Sequence, residues 1–104
     1  MRTLRFIVDG QNLKKAPDCD FTKLVRGSNG YLECRFSFSR EWMDCKIAVS
    51  FFHLGKEVDA VLLEKDYCTI PDNIADLPDF SIKLTGVRGT YRITSCKLPI
   101  RQEG

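Results

Sequence analysis

Residues 31–42 read Tyr31-Leu-Glu-Cys-Arg-Phe-Ser-Phe-Ser-Arg-Glu-Trp42, and their spacing decides the fold. Leu32, Cys34, Phe36 and Phe38 fall on alternate positions, with Tyr31, Glu33, Arg35, Ser37 and Ser39 between them. A period of two places one set on a buried face and the other in water, which describes a half-buried antiparallel strand. On a helix the same apolar residues would scatter around the axis. The run stops at a lone Trp42, whose ring can close one end of a core while its indole nitrogen finds a backbone partner.

Working outward, the pattern recurs. Leu4, Phe6 and Val8 alternate in Thr3–Val8, which ends at the turn signal Asp9-Gly10. Gln11–Asp20 is polar and contains Pro17, so it is expected as a loop or an edge. Phe21–Val25 is expected as a short strand leading into the turn cluster 26–30. Ile47, Val49 and Phe51 share one side of Cys45–Leu54, and Gly55-Lys56 should turn that strand into Glu57–Glu64 as a hairpin. Within it Phe51 and Phe52 must point to opposite faces, so one ring is available to a partner. Cys68-Thr-Ile-Pro71 ends a crossing segment, and Pro71 and Pro78 restrict Asp72–Leu77 to a helical turn. Phe80, Ile82 and Leu84 alternate again, Gly86-Val-Arg-Gly89 is expected as a hairpin connection, and Tyr91 and Ile93 return on one face. Cys96–Gly104, with Pro99, reads as an edge strand or tail. About seven short strands with turn signals between them predict an all-β, immunoglobulin-like antiparallel β-sandwich. A sequence of 104 residues is one such domain, 1–104.

Composition bounds the function. The chain is 43% hydrophobic and 29% charged, which is a globular balance. Its net charge of +2 is too small for a long-range field that selects polyanions, so nucleic acid is not an expected partner. No apolar run approaches the length of a membrane span, and Met1-Arg-Thr-Leu-Arg5 does not open a signal peptide. Synthesis in the cytoplasm is expected. The five cysteines, Cys19, Cys34, Cys45, Cys68 and Cys96, form no CxxC pair, and His53 has no acidic or thiol neighbour in sequence, so neither metal nor cofactor is expected. Cys34, Cys45, Cys68 and Cys96 read as small, mostly buried hydrophobes that stay reduced.

No catalytic residues are assigned. His53 is a single base beside a turn, and reads as a solvent-exposed or capping residue. Glu33, Glu41, Asp44, Glu57, Asp59 and Glu64 fall where strands face water or turn, not across a cleft. Arg35, Arg40, Arg88, Arg92 and Arg101, with Tyr31, Tyr67 and Tyr91, either line a stacking face or cover sheet surface.

Phe36-x-Phe38-Ser-x-Glu41-Trp42, Ala48 and Phe51 on the next strand, Cys68-x-Ile70-Pro71, and Phe80-x-Ile82-x-Leu84-x-Gly86 before Arg92-Ile-Thr94 form a further pattern over residues 31–95. It resembles small immunoglobulin-like β-sandwich modules of phage and prophage tail, baseplate or fibre proteins from Gram-positive bacteria. The resemblance implies a non-enzymatic virion structural or protein-interaction domain, with other structural subunits or its own copies as partners, and the virion as its destination. It brings no catalytic residues. Strand edges and end loops would be the working surface. The alternative is a carbohydrate- or cell-surface-binding module, with Tyr31, Tyr67 or Trp42 as a sugar platform.

Overall fold

The computed structural model describes residues 1–104 and is a sandwich of two sheets. Strands β1 (Arg2–Asp9), β2 (Asn12–Lys15), β3 (Leu32–Phe38) and β6 (Tyr67–Thr69) form the first sheet in the order β2-β1-β3-β6. Strands β4 (Lys46–His53), β5 (Lys56–Leu62), β7 (Asp79–Arg88) and β8 (Tyr91–Thr94) form the second as β5-β4-β7-β8, and β9 (Leu98–Arg101) also pairs with β7. A 3₁₀ turn spans Arg40–Trp42, and α1 is the single helical turn Asp72–Ala75 between the two prolines. The strands number nine rather than about seven: the polar 11–20 segment contributes an edge strand, Tyr67–Thr69 contributes β6 and the 96–104 tail contributes β9, while 21–25 contributes none.

The alternating residues face each other across the middle. Leu4, Phe6, Val8, Cys34 and Phe36 meet Ile47, Val49, Phe51, Phe80, Ile82 and Leu84, all of them buried. The folded chain exposes 6299 Å², close to the roughly 6,000 Å² expected for a compact chain of this mass. β3 is antiparallel to β6 but runs parallel to β1, with Phe6 beside Phe36 and their rings stacked at 5.1 Å. The parallel pairing arises because residues 16–31 carry the chain back to the start of β1, where the Arg2 N–H donates to the Tyr31 carbonyl at 2.8 Å.

Two local expectations give way to specific contacts. Phe21–Val25 forms no strand: the Arg2 guanidinium takes the carbonyls of Asp20, Thr22 and Lys23 at 3.0, 2.6 and 3.1 Å. Only Val25 makes an isolated bridge, to Glu103. Gly86 is not in a turn either. β7 continues through it to Arg88, and the hairpin turns at Gly89-Thr90, with Gly89 at φ +59°. A Cβ on Gly86 would lie 2.9 Å from Cε3 of Trp42, so glycine is there because the strand passes directly against the indole. Trp42 does close that end of the core, with its Nε1–H donating to the Gly10 carbonyl at 2.7 Å. The opposite end is closed by Ile74 and Ala75 of α1, held by Gln102 through the carbonyls of Ala75 and Leu77.

Candidate functional site

Each outer sheet face is set by the same alternation that fills the core, and the two faces differ in chemistry. On the first sheet, outward Arg35 pairs with Glu33 at 3.6 Å and with Asp66 at 3.5 Å, and lies over the Tyr67 ring at 5.0 Å. Tyr67 in turn donates its hydroxyl to Glu64 at 3.2 Å, a bond that raises the Tyr67 pKa above its ordinary value. Glu33, expected to face water, is largely covered, and Thr3 donates to it at 3.2 Å.

The second sheet presents Ala48, Ser50, Ala60, Ser81, Thr85 and Thr94 outward, all small, with Leu62 and Val87 exposed at its margins. Among these stand Lys46, Lys83 and Arg92; Lys46 and Arg92 flank Val87 from the two neighbouring strands. At one end of the face Phe52 points outward by the alternation that buries Phe51, and the Lys97 ammonium sits 4.0 Å from its ring centre. The face then opens into a groove of about 610 Å³ lined by Lys15, Phe52, His53, Asp79, Lys97 and Arg101. His53 Nδ1 lies 2.9 Å from the Asp79 carbonyl, which only accepts, so Nδ1 carries the proton and donates. The Asp79 carboxylate is 3.2 Å from the same nitrogen. His53 is thus a clasp between the end of β4 and the start of β7, rather than a free base.

The molecule's ion pairs are Arg35–Glu33 and Arg35–Asp66, and His53 also contacts the Asp79 carboxylate. Every Lys and Arg other than Arg35 therefore lacks a carboxylate within 4 Å, among them Lys15, Lys46, Lys83, Arg92, Lys97 and Arg101, the last of which lies opposite Asp79 in the register. Above the groove, the β4–β5 turn places Leu54 at φ +52° with 86% of its surface exposed. Leu54 and Gly55, not Gly55-Lys56, are its central residues, and both have positive φ, as a tight two-residue hairpin requires.

The other sequence candidates disperse. Arg35–Tyr67 and Arg88–Tyr91 are separate stacks on different sheets; Arg88 also donates to the Met43 carbonyl, and the Tyr91 hydroxyl donates to the Glu41 carbonyl at 2.9 Å. Trp42 is 2% exposed and offers no platform, whereas Tyr31 is open to solvent. Glu41, Asp44, Glu57 and Asp59 fall on the 3₁₀ turn, a loop and the β5 edge, with no two of them facing across a cleft. No group of three or more His, Cys, Asp or Glu side chains converges as a metal site. No helix is long and apolar enough to cross a membrane.

The cysteines divide in a way their spacing does not reveal. Cys34 and Cys68 are buried register partners on β3 and β6 and are free thiols. Their mutual hydrogen bond, and then burial, push the Cys34 pKa well above its ordinary value. Cys96, expected to be buried, is exposed because it lies in the break between β8 and β9. There its sulfur accepts the Leu13 N–H at 3.4 Å and its backbone N–H donates to Gln11, stitching the second sheet to β2. Cys19 likewise accepts the Arg5 N–H at 3.3 Å.

One edge donor is occupied as well. On β5 the Asp59 carboxylate accepts the Ala60 N–H at 2.8 Å, so that donor is not free for an added strand. No protein-family model matches the chain, and neither does any curated protein or solved structure.

Proposed function

We propose that this chain is a non-enzymatic association domain, a structural or protein-interaction module of the kind found in phage and prophage particles. It works through the outer face of the second sheet and the end loops beside it. The observation that supports this reading is the flatness of that face: Ala48, Ser50, Ala60, Ser81 and Thr85 leave the backbone of β4, β5 and β7 open to close approach by another protein. Exposed Leu62 and Val87 supply apolar contact at its margins. His53, Tyr67, Tyr91, Cys34 and Cys96, by contrast, are engaged in a clasp, stacks and thiol contacts, which favours a binding role over a catalytic one. The particle assignment rests on the resemblance carried by residues 31–95.

A photo-crosslinking amino acid placed at Ala60 or Thr85, in the organism that makes the protein, tests the reading. Adducts with one discrete protein are expected, with none from Lys14 or Ser37 on the other sheet. The chain should also co-purify with particles after prophage induction. Absence of adducts from both second-sheet positions would overturn the association reading. Adducts without particle association would overturn the phage assignment alone.

A further inference from the structure

We propose that the outer face of the second sheet, from the groove at Arg101 and Lys97 across Lys83 to Arg92 and Lys46, docks an extended acidic segment of a partner protein. The inference rests on the association reading and adds the partner's chemistry. The whole chain carries only +2, yet six cations, Lys15, Lys46, Lys83, Arg92, Lys97 and Arg101, stand on this face and its groove with no carboxylate within 4 Å. Among the outward positions acidic side chains stand only at Glu57, beside the register shift, and at Asp79, which lies opposite Arg101 in the groove and is contacted by His53. The first sheet shows what the same fold does when charges serve the chain itself: Arg35 is answered by Glu33 and Asp66.

The partner is extended for a geometric reason. The cations are dispersed from Arg101 beside the start of β7, past Lys83 in its middle, to Lys46 and Arg92 beside Val87 near its end, a run of about 27 Å that an extended segment can follow with same-side carboxylates about every 6.8 Å. Its backbone can lie close over Ala48, Ser50 and Thr85, and Leu54, held exposed at the groove rim, gives it an apolar contact. A second copy of this chain laid face to face would set Lys46, Lys83 and Arg92 against themselves, so the occupant is a different, acidic chain. Lysine outnumbers arginine here and no backbone amides converge, so the face is suited to several dispersed carboxylates rather than one tightly gripped phosphate.

The test uses the full chain with oligoglutamate, oligolysine and a sulfated oligosaccharide as probes, read by amide chemical shifts at low salt. Oligoglutamate is expected to move signals of Ser50, Lys83, Thr85 and Lys97 while leaving Ile7, Ser37 and Thr69 in place, and oligolysine to do nothing. The triple variant Lys83→Glu/Arg92→Glu/Lys97→Glu should bind about tenfold more weakly or worse, and the matching glutamine variant should fall between. These side chains fill no core, so both variants should keep the wild-type spectrum elsewhere. Raising salt to about 0.5 M should release the peptide. Oligoglutamate that fails to bind, or that shifts both sheets alike, overturns the proposal, as does unchanged affinity in the triple variant. So does a sulfated oligosaccharide that binds the same residues more tightly. If crosslinks from Ala60 form while oligoglutamate does not bind, association stands and the acidic partner is wrong; binding without crosslinks supports the acidic site and rejects the association reading.

Discussion

The inner faces of the two sheets are built alike and the outer faces are not. Inside, alternate Phe, Ile, Leu and Val from β1 and β3 meet their counterparts from β4 and β7. Outside, Arg35 on the first sheet is answered by Glu33 and Asp66, with Arg5 and Lys14 unpaired beside it, whereas the second sheet sets Lys46, Lys83, Arg92 and Lys97 among small side chains with no ion pair at all. Exposed ion pairs contribute little to stability, so this difference is not one the fold requires. A core demands equal burial from both layers, and the outer surfaces are under no such demand.

The largest expected effects probe the symmetry. Phe6→Ala in the first sheet and Phe51→Ala in the second should each cost about 3–5 kcal/mol in urea unfolding, because both rings are almost fully buried. A much smaller cost on one side would mean that one layer is loosely packed and that the inner comparison fails. Gly86→Ala should cost about 1–3 kcal/mol, since its Cβ meets the Trp42 ring inside normal contact distance, and Trp42 fluorescence should shift with it.

The next effects probe the asymmetry. Leu54→Asn should stabilise the chain by about 0.5–1 kcal/mol, because asparagine tolerates positive φ better and the exposed leucine loses no burial. The same change should weaken acidic-peptide binding; stabilisation without any effect on binding would remove Leu54 from the docking surface. Arg35→Ala should cost up to about 1 kcal/mol, while Lys83→Ala stays within about 0.5 kcal/mol. Equal costs from thermal melts would contradict the contrast between a paired Arg35 and an unpaired Lys83.

At neutral pH the smallest effect is that of the thiol pair. Cys34 keeps its proton in the folded chain, its pKa raised by the Cys68 hydrogen bond and by burial, while an unfolded thiol ionises near pH 8.5 or so. The stability this contributes is intact below about pH 8.5 and declines as pH rises beyond it. The urea midpoint should therefore fall between neutral pH and about pH 10, and fall less in Cys34→Ala. On the acid side Asp20, its pKa lowered by the Thr22 hydroxyl at 2.6 Å, contributes stability above about pH 4 that disappears as pH drops below its folded value. Asp20→Asn should flatten that acid limb.

Much of the fold is legible because strand alternation is local: Leu32 to Phe38 and Phe80 to Leu84 carry their burial in a two-residue period, and Trp42 its partner in its own chemistry. Gly86 misleads for the same reason, since a glycine near a second glycine looks like a turn until an indole from residue 42 is brought against it. Cys34 and Cys68 are remote in sequence, as are Lys46, Lys83 and Arg92, and nothing in their spacing marks them as neighbours.

From the sequence alone follow the all-β sandwich, its inward residues and the plug at Trp42, because these depend on side-chain size and a period set within each strand. Which strands lie side by side, the parallel meeting of β1 with β3, the thiol pair and the unpaired cationic face were decided only by the tertiary structure. They depend on how long connections close and on the register in which distant strands pair, and those are fixed by the packing of the whole chain.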